Sequence, residues 1–204
     1  MPNWCNNRIS ITGDADKMAI LVEKFKELET NDEEVMGFLL GKDDRPANYE
    51  EGGWYDYNNN KFGTKWDFKL CDINDYSITP DQVTLDVDTA WAPPSQFLET
   101  LCDLYGVYAT ISYFEPGMDF AGQEEYTPEG ITGKEDLTYL EGVYKFDDNF
   151  WSEVEYRAED AVDCDESLEV FKEQFLSYLT PSDLERVESI YKEAVENAAE
   201  NTED

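Results

Sequence analysis

Residues 82–114 read QVTLDVDTAWAPPSQFLETLCDLYGVYATISYF. In QVTLDVD (82–88), Val83, Leu85 and Val87 alternate with polar residues, the period of a strand with one face in a core. Pro93 and Pro94 then open a helix, because a first turn needs no amide donors. Phe97, Leu98, Leu101 and Leu104 form its apolar stripe, and Gly106 is a left-handed stop. VYATISYF (107–114) is the next strand. Strand, helix and strand in this spacing make half of a fold.

The other half lies upstream. Ile9 and Ile11 alternate in RISIT (8–12), a short strand ended by Gly13. Asp14 caps a helix whose stripe is Met18, Leu21, Val22, Phe25 and Leu28. Residues 29–60 predict an irregular insertion, with an apolar island at Phe38–Leu40 and a wet aromatic loop, GGWYDYNNN (52–60). A strand is expected near Trp66–Ile73. The order β-α-β-β-α-β predicts an α+β, ferredoxin-like domain: a four-stranded antiparallel sheet over 8–114 with helices near 14–28 and 95–105 on one face.

That domain is expected to fill residues 1–125, with an acidic C-terminal extension, 126–204, packed on it. YLEGVYKF (139–146) reads as an extra strand, and a helix begins near Asn149. Leu168, Phe171, Phe175 and Leu179 suit a further helix. TPSD (180–183) places a Thr cap before a first-turn proline with Asp183 at the third position, a variant capping box. Leu184, Val187, Tyr191 and Val195 mark the last helix.

Charge bounds the function. The chain carries 48 Asp+Glu against 15 Lys+Arg, a formal net charge of −33. It repels phosphates instead of releasing their counterions, so direct nucleic-acid binding and anionic membranes are excluded. Suitable partners are cations, or basic protein surfaces that normally hold nucleic acid. Solubility and high-salt adaptation are the bland readings, and lysine outnumbering arginine 11 to 4 speaks against the second. Residues 120–204 carry 25 acidic and 6 basic residues, the larger part of the excess.

Histidine is absent, and Cys5, Cys71, Cys102 and Cys164 are far apart. Zinc sites, Cys/His pairs and Ser-His-Asp triads therefore fall away, and clustered iron–sulfur ligands are missing. Four free thiols in a cytoplasmic chain are expected, with no cofactor and no metal. DCDES (163–167) alternates Asp163 and Asp165 but lacks the glycine and distal glutamate of a calcium loop.

Four stretches recur in a fixed order: MPNWCNN (1–7), FGTKWD (62–67), DTAWAPP (88–94) and YFEPGMDFAG (113–122). Together they resemble the YubB-like family of phages and conjugative plasmids over about the first 125 residues. The resemblance implies a ferredoxin-like fold and a mobile-element origin, and no particular reaction.

The motifs supply the candidate binding residues Trp4, Asn6, Gly63, Lys65, Trp66, Trp91, Glu115, Gly117, Asp119 and Phe120. In one reading, Lys65, Glu115 and Asp119 converge on a polar ligand in a pocket around Trp66 and Trp91, while Gly63, Gly117 and Gly122 make tight turns of positive φ. In the other, the tryptophans plug the sheet, and Trp4 packs among Trp66, Trp91 and Phe120. Asn6 and Asn7 then satisfy turn backbone.

The first functional expectation is a non-enzymatic binding protein that acts on a host factor in the cytoplasm by DNA mimicry, as a counter-defence. Its partner would be a host protein with a basic, nucleic-acid-handling surface. Glu185, Glu188 and Glu196 share a face of the last helix and form the acidic partner surface; Glu193 and Glu200 lie off it. The alternative is a small-ligand-binding protein or enzyme built on Trp66, Trp91, Glu115 and Asp119. A pocket ringed by those residues favours the ligand; a flat negative face favours the mimic.

Overall fold

The computed structural model describes residues 3–42 and 44–201, with the side chains of Glu200 and Asn201 outside the description. The Met1 and Pro2 of the first motif also lie outside the described residues. The chain divides into two compact units, Met1–Tyr139 and Leu140–Asp204, and residue 125 falls inside a strand of the first.

The first unit opens on β1 (Trp4–Thr12), four residues longer at its start than RISIT. α1 (Ala15–Thr30) follows Asp14, and its whole apolar stripe is buried. α2 (Val35–Leu40) and α3 (Trp54–Phe62) are inserted before β2 (Asp75–Ile78). Then come β3 (Gln82–Ala90), α4 (Ser95–Tyr105), β4 (Tyr108–Glu115), β5 (Phe120–Thr127) and β6 (Gly130–Leu137).

These strands make one antiparallel sheet in the order β2-β3-β1-β4-β5-β6. Its first four strands have the ferredoxin-like arrangement. Ile9, Ile11, Val83, Leu85, Ala109 and Ile111 share one core with the stripes of α1 and α4, so both helices cover the same face. Gly106 ends α4 in the left-handed region at φ 67°, with its N–H on Cys102 O. Leu104 departs from the expected stripe and is exposed.

Three expectations are corrected. GGWYDYNNN is not a wet loop: most of it is α3, because Phe62 is buried outright and the buried Asn58 Nδ2 donates to Lys65 O at 3.0 Å. Tertiary anchoring overrides the weak helix propensity of an Asn run. Residues 66–73 are not a strand. Asp67 accepts from the amides of Met36, Gly37 and Phe68 at 2.9, 2.7 and 2.8 Å, and Val35 N–H donates to Phe68 O, so the segment's backbone is tied to α2. Burial pushes the Asp67 carboxyl up to about 6 despite those three amides. YLEGVYKF is α5 (Tyr139–Phe146), with Leu140 and Val143 buried at helical spacing.

The sheet has six strands where four were expected. The added β5–β6 hairpin turns at TPEG (127–130), where Thr127 Oγ1 donates to Gly130 O at 3.2 Å. Proline at the second turn position and glycine at the fourth are the ordinary chemistry of such a turn.

The second unit holds most of α5, then α6 (Phe150–Asp163), α7 (Leu168–Glu173) and α8 (Pro181–Asn201). Its core is aromatic: Phe150, Phe171 and Phe175 are buried, and Phe175 meets Phe150 and Phe171 at 6.4 and 5.2 Å between ring centroids. Thr180 caps α8 as expected, accepting from Asp183 N–H at 3.2 Å and donating to its carboxylate. On α8, Val187 and Ala194 are buried and Val195 is exposed.

All four cysteines are free thiols, Cys5 and Cys102 buried, Cys71 and Cys164 exposed. Among the described residues, no helix is long and apolar enough to cross a membrane.

Candidate functional site

The four motifs meet, through backbone and side chains alike; Thr64 Oγ1 donates to Ala90 O at 2.9 Å. Asn3 O accepts from Trp91 N–H at 3.0 Å, and a Cβ on Gly117 would lie 2.5 Å from Asn3 Nδ2. Asn7, fully buried, places Nδ2 within 2.7–2.9 Å of Cys5 O, Val87 O and Thr89 Oγ1, and Thr89 Oγ1 donates to Ala92 O. The N-terminal stretch is therefore a fastening that holds the Trp91 loop to β1.

The candidate residues separate into two groups. Trp4 is half exposed and packs on Trp66 at 5.9 Å between centroids, with Lys65 Nζ 4.4 Å over the Trp66 ring. Asn6 Nδ2 donates to Asp88 on the opposite sheet face from the helices. Glu115 is buried, and its carboxylate accepts from the amides of Gly117 and Met118 at 3.0 and 2.6 Å. Asp119 Oδ1 accepts from Tyr139 N–H at 3.3 Å. Lys65, Glu115 and Asp119 each serve their own neighbourhood.

Gly63, Trp91 and Phe120 do come together. They line an open pocket of about 590 Å³ between the N-terminal half of α4 and the helix-side face of β4, β5 and β6. Trp66, Lys65, Glu115 and Asp119 are not among its lining residues. Aromatic walls come from Trp91, Phe120, Tyr113 and Tyr126; the polar groups are Ser95, Gln96, Glu99, Glu124, Lys134 and Asp136.

At its base lies Glu124, 2% exposed. Its Oε2 accepts from Ser95 Oγ at 2.7 Å and from the Tyr126 hydroxyl. Its Oε1 faces Lys134 Nζ at 3.1 Å and the Tyr113 hydroxyl at 3.5 Å. Lys134 Nζ also stands 3.4 Å from Asp136 Oδ1. Burial works against the Lys134 ammonium, but the bond to Glu124 and the charges of Glu124 and Asp136 prevail and raise its pKa. Burial beside the Glu124 carboxylate pushes the Tyr113 and Tyr126 phenols far above their ordinary range, so both remain donors.

Backbone geometry shapes the pocket. Gly63 ends α3 at φ 85°, and a Cβ there would lie 2.1 Å from Gln96 Oε1. Gly117 and Gly122, expected at positive φ, are not in that region. Gly122 instead gives space: a Cβ would come within 2.4 Å of both the Tyr113 hydroxyl and Glu135 O. Trp91 (φ 74°) and Asp119 (φ 54°) do adopt the left-handed region, which a bulky side chain enters only at a cost.

Ser95, Glu124, Tyr126 and Lys134 were not expected from the sequence. The turn signal TPEG announces the hairpin. Uninterrupted pairing back from Thr127 and Gly130, however, sets Glu124 opposite Gly133. A bulge between Glu125 and Tyr126 shifts the register and brings Lys134 there.

The family model described as the ferredoxin-like domain in Api92-like protein matches residues 65–166, half of the chain. The chain belongs to that family. Every pocket-lining residue except Gly63 lies within its Api92-like segment. Among solved structures, the crystal structure of a protein api92 from Yersinia pseudotuberculosis is similar over 67% of this chain and 98% of that chain, at 10% identity and a TM-score of 0.44. No curated protein matches.

In the second unit, Glu185 and Glu196 are exposed, while Glu188 bonds both Lys172 and Lys192, at 2.9 and 2.7 Å. Those bonds pull its carboxyl down to about 2. Among the described residues, no group of three or more His, Cys, Asp or Glu is placed to hold a metal ion.

Proposed function

We propose that this protein binds a small organic ligand in the pocket between α4 and the β5–β6 hairpin. The observation that carries the reading is Glu124: a carboxylate buried at the base of an aromatic-walled pocket, held by three hydroxyls and one lysine. The volume suits a small molecule, and a few convergent polar groups among apolar walls are what such sites contain. The Trp91 conformation supports it too, since strained backbone is kept where it positions a working side chain.

The DNA-mimic reading rests on the net charge of −33. Less supports it at the residues proposed, because Glu188 spends its charge on Lys172 and Lys192 within the second unit. The motif resemblance supports a YubB-like protein of a phage or conjugative plasmid, working in the host cytoplasm, whichever partner it meets.

The test is a thermal-shift screen of a small-molecule panel against the wild type and Ile131→Trp. Ile131 is half exposed on the pocket wall, so a larger ring there blocks the pocket without entering the core. Compounds that stabilise the wild type should lose their effect in the variant. Equal effects in both proteins, or none from any compound, would contradict the reading.

A further inference from the structure

We propose that the pocket takes a primary organic ammonium, and that Lys134 is a tethered stand-in for it, occupying the place of the ligand's cationic head. The inference rests on the reading of the pocket as a ligand site.

Glu124 cannot leave. Its side chain is 3% exposed, and the hydroxyls of Ser95 and Tyr126 hold one oxygen. On the other, where the Tyr113 hydroxyl reaches only to 3.5 Å, a cation compensates the buried charge. Lys134 supplies one from the facing position on β6, yet its side chain is 49% exposed. Such a long side chain can swing into water, where its ammonium is fully solvated. One partner is fixed and the other is exchangeable.

The surroundings select the chemistry. Around the Lys134 ammonium stand Glu124 Oε1 and Asp136 Oδ1, and the Tyr113 hydroxyl lies 3.5 Å from each of these oxygens. An ammonium with three N–H donors fits this acceptor-rich corner; a quaternary ammonium has no donor to offer. Trp91, Phe120 and Tyr126 line the same pocket, and aromatic rings attract a cation that meets their faces. With Glu99 at the wall, carboxylates outnumber lysines three to one, so an anion is repelled. The net charge of −33 concentrates small cations around the whole chain.

The experiment uses the full chain and the variant Lys134→Met, which keeps the stem and removes the competing charge. Thermal unfolding is followed with n-propylammonium chloride, tetramethylammonium chloride or n-propanol, at constant ionic strength. Propylammonium should raise the Tm of Lys134→Met by at least about 3 °C more than either other probe does. It should also bind that variant about ten-fold more tightly than the wild type, and adding Glu124→Gln should abolish the preference. In the wild type, whatever the variant's stability, propylammonium should move the Lys134 ammonium resonance toward that of solvated lysines.

No preference for propylammonium in Lys134→Met, or weaker binding than in the wild type, overturns the proposal. Stabilisation by n-propanol that is lost in Ile131→Trp also overturns it while leaving the pocket a ligand site. If no probe moves any of these proteins, the ammonium is wrong, and the panel screen with Ile131→Trp decides separately on the pocket.

Discussion

Lys134 Nζ lies 3.1 Å from Oε1 of Glu124, a half-exposed cation reaching a carboxylate that water does not. The pair joins facing positions on β5 and β6. Removing one member is therefore asymmetric. Lys134→Met strands a buried charge, whereas Glu124→Gln leaves a lysine that can turn to solvent and an amide that still accepts from a hydroxyl. Urea unfolding should show Lys134→Met as the more destabilised, by about 1–3 kcal/mol relative to wild type. Glu124→Gln costing more would show that the lysine is held as firmly as the glutamate.

Trp91 offers a separation of stability from binding. The residue is 46% exposed and its backbone is in the left-handed region. Trp91→Gly loses part of a ring's burial but relieves conformational strain of about 1–2 kcal/mol. Its stability should stay within about 1 kcal/mol of wild type while ligand response is lost. A loss above about 3 kcal/mol by chemical denaturation would make Trp91 a packing residue and nothing more.

Asp67 gives a pH signature in the first unit. Its folded pKa, about 6, stands above the ordinary value of 3.8 because of burial. The native state therefore binds the proton more tightly than the unfolded chain, and this contribution favours folding most at low pH. Comparing wild type with Asp67→Asn, the wild type's relative stability should fall as pH rises from about 4 to about 6. A difference that is flat or rising across that window in urea titrations would count against the partly buried position of Asp67 beside α2.

Glu188 gives the opposite sign in the second unit. Hydrogen bonds from Lys192 and Lys172 lower its carboxyl to about 2, so its stabilisation is present above the unfolded value near 4.5 and fades as pH falls toward 2. Glu188→Gln should destabilise at pH 7 and match wild type near pH 2. Glu185→Gln, at an exposed position of the same helix, should leave stability at pH 7 near that of wild type. Equal pH profiles for the two variants would return Glu188 to the role of a solvated surface charge.

The parts of the fold that the sequence revealed are those where one periodicity dominates. Val83, Leu85 and Val87, and the stripe from Met18 to Leu28, could face a core in only one way, and each is buried. Segments 52–60 and 66–73 take their form from partners outside them: Asn58 finds Lys65 O, and Asp67 finds the α2 amides. In 139–146, a helix, the β-compatible apolar residues left strand and helix open, and Leu140 and Val143 are buried at helical spacing. The site was half legible. Trp91, Phe120 and Gly63 stood out as motif residues. The Glu124–Lys134 pair did not, because a single bulged residue sets its register, and no local pattern in 48 acidic residues marks one glutamate as buried.

The ligand site is tested most directly by the indole N–H resonances of the five tryptophans under titration with a small-molecule panel. Trp91 is at the pocket, and Trp4 and Trp66 form a separate, tilted ring pair. A ligand should shift the Trp91 resonance saturably and leave the Trp4 and Trp66 resonances in place. A panel that never moves Trp91, or that moves all five together in proportion to salt, would contradict a ligand site between α4 and the β5–β6 hairpin.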